Sequence, residues 1–348
     1  MKGCTTLFAL CCAVVILFTA QARGADKELM GAGATFPFPL YQKMFDTYFQ
    51  TTGIKVNYQA IGSGGGIQQL VNKTVDFGGT DAFMTDEEIA AAGAPIVHIP
   101  TCLGAVVLTY NLPGNPSLKL TPDTLVDIFL GKITQWNDKR LVAINPGVVL
   151  PDMQIVTVHR SDGSGTTAIF SDYLAKVSEE WKTSVGAGKS LKWPCGLGAK
   201  GNPGVAGLVK QVPGSIGYVE LIYALGNNMP YADIRNKAGV FVKPTIESVS
   251  RAAAVPMPDD TRVSITDTDA RDGYPISGFT WIVAFKDQKY GDRSKAQAES
   301  LVKLLGWMIN EGQKIAQTMN YAPLPDAAVA KAKKIIASIT YGGQPVVQ

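Results

Sequence analysis

The chain has 348 residues, of which 46% are hydrophobic and 18% charged, and its formal net charge is +3. This length favours two domains, and the composition suits a globular protein with a sizeable core and excludes a disordered chain. Loss of Lys2 and Arg23 with a cleaved leader lowers the charge to about +1, and so neutral a body argues against nucleic-acid binding.

The N-terminus has the layout of a secretory signal peptide. Lys2 supplies a positive charge, residues 7–20 are apolar, and small residues follow. The apolar run is too short for a stable membrane span, although an uncleaved anchor remains the alternative. Cleavage after Ala22 or after Gly24 satisfies the small-x-small rule, and we expect the latter, so that residues 1–24 are the signal peptide.

Beyond the leader, strand patterns alternate with helical patterns. Short apolar runs predict strands at 54–61, 105–108, 155–159 and 280–285. Apolar residues at helical spacing predict amphipathic helices; they are Phe45, Tyr48 and Phe49 early in the chain and Leu301, Leu304, Leu305, Met308 and Ile309 late in it. This alternation predicts an α/β fold with parallel or mixed sheets.

Three glycine-rich loops with hydroxyl residues lead into helical patterns, at 31–37, 62–66 and 160–167. A helix N-terminus offers free N–H groups and partial positive charge, and glycine lets the backbone approach an oxyanion closely. The alternative is that these Ser and Thr residues are ordinary helix caps. Three such loops, one of them carrying Arg160, favour an anion site.

Other motifs fit less well. Thr183 stands where a nucleotide P-loop ending in Gly188-Lys189-Ser190 needs its first glycine. Gly163, Gly165 and Ala168 match a loose dinucleotide fingerprint, but no strand ending in an acidic residue follows about 20 residues later. A hydrolase elbow at 159–163 lacks its first glycine.

Two cysteines, Cys102 and Cys195, remain after the leader. In an oxidising compartment they could form one disulfide, or they could be two small buried apolar residues, and the sequence leaves both open. A zinc site is not supported, because two Cys and two His lack ligand spacing.

The three loops, in this order, resemble those of the phosphate-binding proteins of bacterial ABC-type phosphate importers. Other segments similar to that family are 56–59, 74–78, 130–133, 192–194, 214–220 and 321–325. The resemblance implies a type II periplasmic-binding-protein (Venus-flytrap) fold of two α/β domains joined by crossing strands. It places domain I at 25–100 plus 278–348 and domain II at 101–277, with the ligand between them.

The resemblance also implies a set of phosphate ligands, which are Thr35, the Phe36 backbone N–H, Ser63, Asp81, Arg160, Ser164, Gly165 and Thr166. Asp162 is expected to hold the Arg160 guanidinium. Residues 200–204, including Asn202, are expected to line the cleft without touching the ligand, and the alternative is that they form a simple turn.

Asp81 is unexpected in an anion site. Phosphate carries a proton near neutral pH, and an ionised carboxylate can accept that proton's hydrogen bond. Sulfate has no such proton, so its oxygen would face the carboxylate unpaired. The alternative is that Asp81 caps the helix that follows it.

The expected function is therefore capture of inorganic phosphate, and also of arsenate, in the periplasm and delivery to an inner-membrane ABC permease with its ATPase. We expect a monomer without catalytic residues, metal or cofactor. An enzyme of phosphate chemistry would need a nucleophile with a base, or metal ligands, whereas the loops supply donors. A secreted adhesion or scavenging module on the same fold stays open.

Overall fold

The computed structural model describes residues 27–346, so the predicted signal peptide at 1–24 lies outside the described residues. The strands of this range are β1 Glu28–Gly33, β2 Lys55–Ala60, β3 Phe77–Thr80, β4 Ile96–Tyr110, β5 Lys119–Leu120, β6 Val156–Arg160, β7 Leu197–Ala199, β8 Ser215–Glu220, β9 Asp233–Arg235, β10 Phe241–Val242, β11 Ser277–Phe285, β12 Thr340–Tyr341 and β13 Gln344–Pro345. The helices are α1 Phe38–Thr52, α2 Ser63–Val71, α3 Asp86–Ala91, α4 Pro122–Phe129, α5 Lys139–Ile144, α6 Gly165–Val177, α7 Glu179–Ser184, α8 Gly201–Gln211, α9 Leu221–Gly226, α10 Ile246–Ala252, α11 Lys295–Met308, α12 Gln313–Thr318 and α13 Asp326–Ala337. None of these helices is long and apolar enough to cross a membrane.

The main sheet has the strand order β2-β1-β3-β11-β4-β8-β6-β7. In its first part β1, β2 and β3 are parallel, and β11 joins them antiparallel. In its second part β6, β7 and β8 are parallel, and β8 pairs antiparallel with β4. Each part thus has its own edge at which the carboxyl ends of parallel strands meet. The predicted α/β fold with mixed sheets is confirmed.

Strands β4 and β11 connect the two parts. Residues 96–105 of β4 pair with β11, whereas 106–110 pair with β8. The β4–β11 register shifts after Thr280, which leaves Thr101 as the extra residue of a bulge. A bulge bends its strand locally. The connection is therefore irregular at residues 100–101, where the sequence analysis expects domain I to end and domain II to begin.

Helical periodicity correctly identified the buried faces of two helices, with one exception. In α11 the predicted face is fully buried, and Ser294 and Gln297 cap the helix reciprocally. In α1, Phe45 and Tyr48 are buried, but Phe49 is 50% exposed. Phe49 lies at the margin of the face, near the end of the helix at Gly53, whose φ of 69° gives a left-handed cap.

Residues 259–262 pack against the first part of the sheet, although the domain boundaries expected from the sequence assign them to domain II. The Thr261 hydroxyl donates to the His98 carbonyl at 2.9 Å, and the Trp281 indole N–H donates to the Thr261 carbonyl at 3.0 Å. This stretch is therefore attached to the first part.

The two cysteines of the described chain are both free, so the disulfide alternative is not realised. Cys102 is buried in β4, and burial raises the pKa of its thiol. Cys195 is half-buried just before β7, three places from β4 in the strand order. Neighbouring strands are about 4.8 Å apart, so this separation exceeds the Cα–Cα reach of a disulfide, about 7 Å.

Candidate functional site

The predicted site residues follow the carboxyl ends of parallel strands in both parts of the sheet. Thr35 follows β1, Ser63 follows β2 and Asp81 follows β3, while Arg160 ends β6. Loops gather at such edges in α/β sheets, which is why distant segments meet there. Helices α2 and α6 begin at Ser63 and Gly165 and so direct their N-termini toward the same place.

Ser63 links the two halves of the site. Its Oγ accepts the Asp81 backbone N–H at 3.2 Å and the Gly165 backbone N–H at 3.1 Å. The Asp81 carboxylate accepts the Thr280 hydroxyl at 2.8 Å. Ser63 and Asp81 are both buried. The first and second parts of the sheet are therefore in direct contact through predicted ligands.

Arg160 is held in a fixed plane by Asp162. Its Nε and Nη2 donate to the two carboxylate oxygens at 2.7 and 2.6 Å, and its Nη1 donates to the Thr166 hydroxyl at 3.2 Å. Burial raises the Asp162 pKa, but the Arg160 guanidinium outweighs burial, so the pKa lies below its usual value. The arrangement leaves one N–H on each terminal nitrogen of Arg160 for a ligand.

Helix capping accounts for one of the hydroxyl residues and not for the others. Ser164 caps α6 by accepting the Thr167 N–H at 3.0 Å, and its hydroxyl can still donate. The cap positions of α1 and α2 are Pro37 and Gly62, so Thr35 and Ser63 are not caps. The Thr166 N–H lies in the first turn of α6, where a helix provides no acceptor.

Phe36 is fixed by its backbone and its ring. Its carbonyl accepts the Tyr321 hydroxyl at 2.6 Å, and the two rings meet edge to face with centroids 6.5 Å apart. The neighbouring Thr35 carbonyl accepts the Tyr223 hydroxyl. These contacts set the orientation of the Phe36 backbone N–H, the predicted donor.

Glycines allow the loops of the two parts to touch. The Gly64 N–H donates to the Gly163 carbonyl at 2.9 Å. Gly62 has a φ of +91°, and a Cβ there would lie 2.8 Å from that carbonyl oxygen. A Cβ on Gly165 would lie 2.5 Å from both the Asp81 carboxylate and the Ser63 hydroxyl. At these two positions a side chain would force the loops apart.

Asn202 has a larger role in the structure than its sequence suggests. Its amide Nδ2 donates to the Thr35 hydroxyl at 2.9 Å and to the Thr166 hydroxyl at 3.0 Å, and its backbone N–H donates to Thr35 at 3.1 Å. The side chain is fully buried. The available signal was its place after the short strand β7, at the start of α8, which repeats the arrangement of the other site loops.

Asp81 has a strongly perturbed carboxyl group. Burial raises its pKa to about 7, and the Thr280 hydroxyl, Arg160 and Ser63 partly offset that effect. The alternative that Asp81 caps a helix is wrong, because Thr85 caps α3 in a reciprocal capping box with Glu88. Asp81 is thus free to act as an acceptor in the site.

The two imidazoles of the chain have structural contacts. His98 accepts the Met84 backbone N–H at 3.0 Å, and burial lowers its pKa to about 3. His159 stacks on Trp193 with centroids 4.8 Å apart, and its Nδ1 lies 3.1 Å from the Arg160 carbonyl oxygen. These arrangements explain both histidines without a role as general base.

The site is closed in this structure. The side chains that surround it are 4% exposed or less, namely those of Thr35, Ser63, Asp81, Arg160, Ser164 and Thr166. A cavity of about 450 Å³ adjoins Asp81 and is walled by both parts of the sheet, including Phe83, Ile169 and Trp281. Of the predicted ligands, Asp81 alone lines that cavity. An anion could therefore enter the site only after the two parts separate.

Comparison with known proteins gives a consistent picture. The family model of the PBP superfamily domain matches residues 19–311. The phosphate-binding protein PstS of Xylella fastidiosa is 44% identical over 318 residues, covering 89% of this chain and 85% of that protein. The PstS of Pasteurella multocida is 42% identical over 324 residues, covering 91% and 92%.

Among solved structures, the chain is similar to a high affinity periplasmic phosphate-binding protein, PfluDING, bound with phosphate. The TM-score is 0.72 at 22% identity, with 91% of this chain and 96% of that chain covered. This likeness confirms the expected two-domain periplasmic-binding-protein fold. The chain belongs to the family of PstS-type phosphate-binding proteins, within the PBP superfamily.

Proposed function

We propose that this protein binds inorganic phosphate in the closed site between the two parts of its sheet, as a binding protein and not as an enzyme. The proposed ligands are the hydroxyls of Thr35, Ser63, Ser164 and Thr166, the backbone N–H groups of Phe36, Gly165 and Thr166, the Arg160 guanidinium and the Asp81 carboxylate. The Gly165 N–H donates to Ser63 Oγ in this structure, so it serves the anion only by exchanging that bond. Asp162 holds Arg160 in place without touching the anion.

The observation that carries this proposal is a buried set of donors gathered around the Asp81 carboxylate. Arg160 and the N-terminus of α6 supply positive charge and N–H groups, and the hydroxyls add further donors. The Asp162 carboxylate is already engaged by Arg160 and by the Gly201 N–H at 3.0 Å. Asp81 is left to accept the ligand's own proton.

Such a site favours a tetrahedral anion that carries a proton. Phosphate and arsenate are protonated near neutral pH, whereas sulfate would place an unprotonated oxygen against Asp81. A buried polar group left without its partner costs about 1–3 kcal/mol, and more if it is charged. Sulfate has the same shape as phosphate, so the N–H and hydroxyl donors do not distinguish the two anions. The Asp81 carboxylate therefore rejects sulfate.

The proposal includes export and transport. The predicted signal peptide would place the mature chain in the periplasm as a monomer, and the relatives carry the name phosphate-binding protein PstS. We propose that the loaded, closed form docks on an inner-membrane ABC permease, whose ATPase drives import of the anion. The two domains of this proposal are 25–100 plus 278–348, and 101–277, with residues 259–262 of the second packed on the first.

Calorimetric titration of phosphate-depleted protein at neutral pH tests the binding step. We expect saturable 1:1 binding of phosphate, weaker binding by at least about tenfold in Arg160→Ala, and no release of phosphate from ester substrates. Arg251→Ala is the matched control, since Arg251 is exposed and 3.9 Å from Asp272. Absence of phosphate binding to the wild type, or turnover of phosphate esters, would refute the proposal.

A further inference from the structure

The two threonine hydroxyls of the site share one bonding pattern. The Thr35 oxygen accepts two N–H groups, both from Asn202, at 2.9 and 3.1 Å. The Thr166 oxygen also accepts two, from Asn202 at 3.0 Å and from Arg160 at 3.2 Å. A hydroxyl has two acceptor lone pairs and one donor proton. With both lone pairs occupied, each threonine hydroxyl can act toward a ligand only as a donor.

The orientation of the Asn202 amide follows from its third partner. Its Oδ1 accepts the Glu220 backbone N–H at 2.9 Å. A backbone N–H can only donate, so the oxygen of the amide must face Glu220 and the NH₂ group must face the threonines. Glu220 ends β8, so the backbone of the second part of the sheet determines which way the amide points.

Resting on the phosphate-binding function proposed above, we propose that Asn202 is a positioning residue that turns the Thr35 and Thr166 hydroxyl protons toward the anion. It touches the hydroxyl oxygens and not the ligand. Without it, each hydroxyl could rotate and point its proton elsewhere. Asn202 thereby makes two rotatable groups into fixed donors, which lowers the cost of ordering them when the anion binds.

The arrangement also couples donor orientation to closure. Thr35 follows β1 in the first part, whereas Asn202 and Thr166 belong to the second. Asn202 can therefore orient Thr35 only when the two parts are together. In an open form the Thr35 hydroxyl is free to rotate, and closing completes the donor set at the moment the anion is enclosed.

A double-mutant cycle tests this role. We expect Asn202→Leu, which keeps a similar volume and removes the amide, to weaken phosphate binding by at least about tenfold, because hydrogen bonds to charged groups are strong. In a Thr35→Val, Thr166→Val background the same change should cost less than about threefold, because the groups on which Asn202 acts are gone. Equal losses in both backgrounds would show that Asn202 acts independently of the hydroxyls and would overturn the proposal.

The variant Asn202→Asp gives a second test, which does not require the fold to accept a leucine at position 202. Its carboxylate only accepts, so it would draw the threonine protons away from the anion and add repulsion. Protonation restores one donor, so the ratio of variant to wild-type dissociation constants should fall as the pH is lowered. A ratio that does not change with pH would contradict the proposal.

Asn145→Leu is the matched control, because Asn145 is a buried amide of the second part that bonds to the Lys119 backbone away from the site. It should lower thermal stability without changing the dissociation constant. The wild-type titration separates the two hypotheses. If the wild type fails to bind phosphate, the proposed function is wrong; if it binds and Asn202→Leu binds equally well, only the positioning role is wrong.

Discussion

At Asp81, burial and hydrogen bonding act on the carboxyl pKa in opposite directions. Burial dominates and raises the pKa to about 7, although the Thr280 hydroxyl and Arg160 favour the ionised form. The group therefore exchanges its proton in the range in which phosphate does. A carboxylate at this position is unfavourable in an empty closed site and becomes useful when a protonated oxygen is presented to it.

Exchange of Asp81 for asparagine should change anion selectivity. The amide keeps the shape, removes the charge and adds an NH₂ donor that can serve an unprotonated oxygen. We expect the ratio of phosphate to sulfate affinity at neutral pH to fall by at least about tenfold in Asp81→Asn. Titration of both anions against both proteins is the measurement, and an unchanged ratio would remove Asp81 from the recognition of the ligand's proton.

The Asp81 pKa also predicts a pH dependence of closure without ligand. If the carboxyl has its ordinary pKa of 3.8 when hydrated in an open form and about 7 when closed, protonation favours the closed form. The Asp81 proton then stabilises the closed form relative to the open form. This stabilisation is fully present below about pH 4 and is lost as the pH rises through 7, and the free energy of closure changes by up to roughly 4 kcal/mol.

X-ray scattering of phosphate-free protein checks this expectation. The wild type should become more compact between pH 8 and pH 5, whereas Asp81→Asn should show a smaller change. Burial also raises the pKa of Glu220. Glu220 is present in both the wild type and Asp81→Asn, so its effect on compaction cancels when the two are compared. Identical pH profiles for the two proteins would mean that the Asp81 proton does not control closure.

At the scale of elements, the site depends on glycines that let helix and loop approach each other. Gly165 begins α6 within contact distance of Asp81 and Ser63, and its N–H bonds to Ser63. The sequence identified this loop because three features coincide within a few residues: a strand end, a glycine-rich turn and a helix start. Such local combinations are visible without knowledge of the partner strand.

A methyl group on Gly165 should prevent the two parts from meeting. We expect Gly165→Ala to weaken phosphate binding by at least about tenfold, because its Cβ would lie 2.5 Å from the Asp81 carboxylate and the Ser63 hydroxyl. Gly207→Ala is the control, since Gly207 lies within α8 and a Cβ there meets nothing within 4 Å. It should leave affinity unchanged and stabilise the protein by about 0.5–1 kcal/mol. Equal affinity of both variants would contradict the close contact.

At the scale of the whole molecule, closure of the site implies that the two parts must move. The proposed ligands are almost inaccessible, so an anion has to enter an open form. Besides the site itself, the Lys189 ammonium of the second part and the Glu88 carboxylate of the first part connect the two parts at 2.5 Å. The bulge at Thr101 in the connecting strands offers a place for bending.

Phosphate should therefore compact the molecule by a hinge near residues 100–101 and 277–278. We expect the radius of gyration to fall on addition of phosphate and to stay unchanged with sulfate, as measured by X-ray scattering. Lys189→Met should weaken the free energy of binding only slightly, by less than about 1 kcal/mol, because this ion pair is partly exposed and screened by salt. No compaction with saturating phosphate would rule out the hinge.

The sequence by itself determined the α/β class, the helix faces, the family and the residues of the three glycine-rich loops, because these depend on patterns within a short stretch of chain. Only the tertiary structure decided that Asn202 joins Thr35 to Thr166, that Glu220 orients its amide, that residues 259–262 pack on the first part, and that Cys102 and Cys195 are free. Each of these depends on which strand ends lie side by side. That order follows from pairing across the whole sheet, which no local pattern contains.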